Sequence, residues 1–115
     1  MQITFEHPSD HPGALLGRLA GTFDIIAADE FWNAVSQRVS PDTRHVVFDL
    51  SELSIMTSAG LGILVRLYAR LKDSGGGLAI FGCSPKVHET FAIVQIDGIL
   101  KVCATEAEAW QSIDA

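Results

Sequence analysis

No run of lysine or arginine occurs in this 115-residue chain, whose formal charge is −6. Phosphate neutralisation needs grouped cations, so the composition argues against nucleic acid as a partner. An acidic balance suits a basic patch on another protein but does not by itself select one. No apolar run approaches the ~20 residues that span a bilayer, so no direct membrane insertion is expected. The start Met1-Gln2-Ile3-Thr4-Phe5-Glu6 lacks the basic opening and apolar stretch of a signal peptide. A cytoplasmic protein is the expectation.

Cysteine is scarce. Cys83 and Cys103 stand far apart, form no CxxC pair and lie in apolar stretches, which predicts buried, inert thiols. There is no GxGxxG and no phosphate-cradling P-loop, and Gly75-Gly76-Gly77 ends a helix instead of opening one. Met56 stands where a GxSxG nucleophile elbow around Ser58 would need its first glycine. His45 and His88 fall on separate elements without a nucleophile or carboxylate partner. His7 and His11 are four apart, but Pro8 and Pro12 forbid the helix that would bring them to one face. With Glu6 and Asp10 they offer at most an adventitious metal grip, and a solvated loop is the plainer reading. No catalytic residue, metal or cofactor is expected, and the chain does not read as an enzyme.

What the chain does hold is apolar residues, 48% of the total, enough for one well-filled domain spanning residues 1–115. Ile3 and Phe5 suggest a short strand, and Ala14 to Ala20 a second one ending at Gly21. Ala28, Phe31, Trp32, Val35 and Val39 then recur at helical spacing, until Ser40-Pro41-Asp42 stops them. Val46 to Leu50 reads as a strand buried on both faces. After a loop, a helix over Ser58 to Asp73 carries Leu61, Leu64, Tyr68 and Leu71 inward and Arg66, Arg70 and Asp73 outward. Ser74 to Gly77 terminates it. Leu78 to Phe81 is another strand. Ser84-Pro85 starts a helix with Val87, Phe91 and Val94 on its core face. Leu100 to Cys103 is the last strand, and Thr105 and Glu108 have capping-box spacing ahead of a helix with Trp110. Trp32 and Trp110 read as core or half-buried residues. The alternation predicts an α/β fold with a mostly parallel sheet, about five strands and four helices.

One junction stands out. Between Ser51 and the helix of Leu61 lies Glu52-Leu53-Ser54-Ile55-Met56-Thr57-Ser58-Ala59-Gly60-Leu61-Gly62, at the carboxyl end of a strand, where open α/β sheets place their sites. Thr57 and Ser58 stand at or beside the helix N-cap. Ala59, Gly60 and Gly62 leave the turn bare, open to the backbone of another protein. A simple capping role for the hydroxyls competes with this reading.

Val46-Val47-Phe48-Asp49-Leu50-Ser51 and then Met56-Thr57-Ser58-Ala59-Gly60-Leu61-Gly62, together with the turn Gly21-Thr22-Phe23-Asp24, resemble the STAS domain family. The resemblance covers nearly the full length. This is the fold of anti-sigma factor antagonists and sulphate-transporter tails. The resemblance implies a partner-switching protein that binds an anti-sigma factor with serine kinase activity. It implies phosphorylation of the loop serine, matched by Ser58, and a phosphatase that reverses it. The implied partner-binding residues are Thr22, Phe23, Asp24, Ile25, Met56, Thr57, Ser58, Ala59, Gly60, Leu61 and Gly62.

The family usually has Asp immediately before that serine, where this chain has Thr57. Three arrangements stay open: a neutral Thr57 cap with Ser58 modified, modification of Thr57 itself, or a constitutive binder. The first is preferred because Thr caps nearly as well as Asp. Other functions compatible with the family are a cytoplasmic accessory subunit of an ABC-type lipid transporter and a small-molecule sensor, the latter disfavoured by the missing phosphate loop.

Overall fold

The computed structural model describes residues 1–93 and 100–114. The strands β1 (Gln2–Glu6), β2 (Ala14–Phe23), β3 (His45–Met56), β4 (Gly77–Phe81) and β5 (Lys101–Cys103) lie side by side in sequence order. β1 runs antiparallel to β2, and every later neighbour is parallel. The crossovers are α1 (Ile25–Arg38), α2 (Ser58–Asp73) and α3 (Pro85–Ile93), and α4 (Glu106–Asp114) closes the chain. Val94, expected on the core face of α3, lies outside the described residues.

Alternation along the strands explains the two layers. Leu15, Leu19, Val46, Phe48, Leu50, Leu78 and Ile80 face one side with α1, α2 and α3, building the larger core around Phe23, Phe31, Leu64 and Phe91. Ala14, Leu16, Val47, Ala79 and Phe81 face the other side, under Ala109 and Trp110 of α4. A strand covered on both sides is apolar nearly throughout, which is why Val46 to Leu50 reads as an apolar run broken only by Asp49. α4 leaves β1 and the later part of β2 bare, and there the exposed outward residues are polar or charged: Gln2, Thr4, Glu6 and Arg18. Arg18 donates to Asp49 at 2.6 Å and to Glu6 at 3.3 Å.

The ends of β2 and β3 and the start of α1 differ from the sequence expectation, β2 running past Gly21 to Phe23. β3 does not end at Ser51 but runs on to Met56, because β2 continues to Phe23 and supplies backbone partners throughout. The register shifts between Arg18 and Ala20 and between Gly21 and Thr22. These irregularities let Leu53 and Met56 both point inward although their spacing breaks strict alternation. Likewise α1 starts at Ile25, not Ala28. The expected loop before α2 therefore shrinks to Thr57 alone.

The loop around His11 also differs from a solvated one. The His11 imidazole stacks on Trp110, with ring centroids 3.9 Å apart, and pins residues before β2 to α4. The capping box before α4 forms with an offset. Glu108 N donates to Thr105 Oγ1 at 3.3 Å, while the Glu108 carboxylate accepts from Ala104 N at 3.2 Å.

Candidate partner-docking site

β2 and β3 end in register, Phe23 opposite Met56. One cap residue follows each strand, Asp24 and Thr57, and then each chain segment turns directly into a helix. Two helix N-termini thus stand side by side at the carboxyl edge of the sheet, each with orphan amides and a positive dipole end. Ile25 and Ser58 each lie two residues past the Phe23–Met56 pairing.

The caps close by different chemistry. Asp24 Oδ1 accepts from Ala27 N at 2.9 Å. Thr57 Oγ1 accepts from Gly60 N at a long 3.4 Å, but its hydroxyl also donates to the Phe23 carbonyl at 2.6 Å. The Thr57 amide reaches that carbonyl too, at 3.1 Å. An ionised carboxylate could not make the donated bond, which gives Thr57 a structural reason to stand where the family pattern has Asp. Both lone-pair and proton functions of this hydroxyl are therefore in use. Ser58, one residue on, is exposed, and its hydroxyl makes no hydrogen bond to a described residue.

The expected partner-binding residues divide by burial. Ser58, Ile25 and Gly62 are exposed, while Thr22, Asp24, Thr57 and Ala59 are half-buried. Phe23, Met56, Gly60 and Leu61 are buried and cannot present side chains to a partner; they form the floor on which the two helix starts sit. The glycines separate for the same reason. A Cβ on Gly60 would come within 2.8 Å of the Phe23 ring and the Met56 sulphur, so this glycine permits close packing of α2, not the approach of another chain. A Cβ on Gly62 would meet nothing within 4 Å. Sequence reasoning missed Ile26 and Ile55. Together with Ile25 they are the exposed large apolar side chains among the described residues, at 72% (Ile25), 70% (Ile26) and 39% (Ile55). Ile26 lies off the helical stripe of Ala28, Phe31 and Val35, and Ile55 stands at the end of β3.

The remaining reactive groups do not gather here. Cys83 and Cys103 are half-buried, not buried as expected. Desolvation pushes the Cys83 thiol up to about 11, so it stays protonated and inert near neutral pH. Among the described residues no group of His, Cys, Asp or Glu is arranged to hold a metal. No described helix is long and apolar enough to cross a membrane.

A single α/β domain with two helix N-termini side by side at the carboxyl edge of a mostly parallel sheet is the class that this geometry defines. The STAS domain family matches residues 8–109, and the chain belongs to that family. It is 30% identical over 106 residues to the anti-sigma F factor antagonist of Paenibacillus polymyxa, covering 89% of this chain and 83% of the relative. The crystal structure of an anti-sigma factor antagonist from Mycobacterium paratuberculosis superposes with a TM-score of 0.83 at 23% identity, covering 99% of this chain and 96% of that one. The Bacillus cell fate determinant SpoIIAA in its phosphorylated form gives a TM-score of 0.65 at 21% identity, covering 95% and 98%.

Proposed function

We propose that this protein is an anti-sigma factor antagonist switched by phosphorylation of Ser58. It binds an anti-sigma factor that is also a serine kinase, and a phosphatase restores the binding form. The cytoplasm is its place on this reading. The observation that carries the proposal is the division of labour at the start of α2: the Thr57 hydroxyl is consumed by the fold, and the Ser58 hydroxyl beside it is exposed. The names of its relatives as antagonists, and SpoIIAA having a phosphorylated form, support the same reading.

Phosphate on Ser58 adds about −1.5 to −2 charges. The amides of Ser58 and Ala59 open the helix, and no described acceptor takes them, so the helix tolerates the new charge. The fold therefore survives modification. A partner packed over Ser58 would instead enclose an unpaired dianion, at a cost of several kcal/mol. The switch is one of contact, not of folding.

Mass spectrometry after incubation with the anti-sigma factor kinase encoded nearest to the gene tests the assignment. Phosphate should appear on Ser58 and vanish in Ser58→Ala. Phosphate on Thr57, or none, would contradict it.

A further inference from the structure

Ile25 and Ile26 occupy the first two positions of α1 with 72% and 70% of their surfaces in water. A helix start normally favours acidic or small polar residues, and β-branched apolar side chains gain nothing there from folding. Ile55, exposed at 39%, stands at the end of β3 opposite Thr22. Ile25 and Ile26 break a local rule without any intramolecular return, and they do so on the helix start beside that of Ser58.

The surroundings carry charge of one sign. Residues 20–30 and 51–62 contain Asp24, Asp29, Glu30 and Glu52 but no Lys, Arg or His. Asp29 and Glu30 are exposed and lie one turn behind Ile25 and Ile26 on α1. Arg18 is paired with Glu6 and Asp49, and Arg66 of α2 lies 4.2 Å over the Trp32 ring.

We infer that Ile25 and Ile26 form an apolar anchor for a protein partner whose complementary surface is an apolar pocket rimmed by lysine and arginine. The inference rests on the antagonist reading for the class of that partner. A second copy of this chain is the wrong occupant, because a two-fold interface would bring two faces of the same negative sign together. A partner of opposite charge removes that repulsion and gains association rate from it.

The anchor also constrains the switch. A phosphate added to an acidic face strengthens long-range attraction to a basic rim, so release cannot come from repulsion at a distance. It comes from lifting the isoleucines out of their pocket, by the bulk and hydration of the dianion at contact.

Calorimetric and kinetic titration with the same anti-sigma factor kinase tests the anchor. The double variant Ile25→Ser/Ile26→Ser should bind at least about a hundredfold more weakly with an unchanged Tm, because the removed surface is exposed. Asp29→Lys/Glu30→Lys should slow association about tenfold at low salt and flatten its salt dependence. Wild-type affinity in the double serine variant overturns the anchor alone. Failure of the unsubstituted protein to bind the kinase overturns both this inference and the antagonist reading. Sedimentation showing a wild-type dimer that the serine variant loses would assign the patch to self-association and overturn the basic-rimmed partner.

Discussion

The starts of α1 and α2 are the same backbone device carrying opposite chemistry. Each comes directly after a parallel strand, and the strands stop at the same level, Phe23 beside Met56. A single extended cap residue precedes each helix. At α1 the cap is a carboxylate with a short bond to Ala27 N, and the next two residues, Ile25 and Ile26, are apolar and exposed. At α2 the cap is a hydroxyl whose bond to Gly60 N is long, and the next residue is the exposed Ser58. The weaker cap is reinforced sideways, through the bond from Thr57 to the Phe23 carbonyl, so the second helix start is tied to the strand that launches the first. On the proposed function one start holds a partner and its neighbour is altered, on a shared buried floor.

Substitutions sharpen the contrast in order of expected size. Gly60→Ala forces a methyl group against the Phe23 ring and Met56 and should cost about 1–3 kcal/mol in chemical denaturation. Thr57→Val removes the cap and the bond to Phe23 together and should cost about 1–2 kcal/mol by the same measurement. Thr57→Asp keeps the cap and should fall between that variant and the unsubstituted protein. Gly62→Ala meets open space and should stabilise by about 0.5–1 kcal/mol through helix propensity. Equal effects at the two glycines would show that α2 does not sit down on the β2–β3 floor as described. Asp24→Asn, which retains a capping oxygen, should cost only a few tenths of a kcal/mol.

Much of this was legible beforehand because the strands are short, apolar and punctuated. Val46 to Leu50 and Leu78 to Phe81 carry the mark of doubly covered strands, and Ser74 to Gly77 that of a helix end. The STAS resemblance rested on Val46 to Ser51, Met56 to Gly62 and Gly21 to Asp24, and the last two of these segments meet where β2 and β3 end. The features that stayed hidden depended on neighbours distant in sequence. Ser51 to Met56 looks like a loop because one face of β3 loses its helical cover there and turns polar at Ser51, Glu52 and Ser54, while pairing with β2 persists. Gly60 looked bare because its neighbours Phe23 and Met56 approach it only after folding. Ile26 and Ile55 escaped notice because an apolar residue in a sequence is presumed to be inside, and only coordinates show one left in water.

Surface-plasmon measurement of Ser58-phosphorylated and unmodified protein against the cognate kinase, with thermal melts of both in parallel, bears most directly on the account. Dissociation should accelerate at least about a hundredfold while association stays within a few-fold and Tm moves by no more than about 2 °C, because the dianion perturbs the contact and spares the fold. Unchanged dissociation, or a modified protein that has lost its fold, would contradict it.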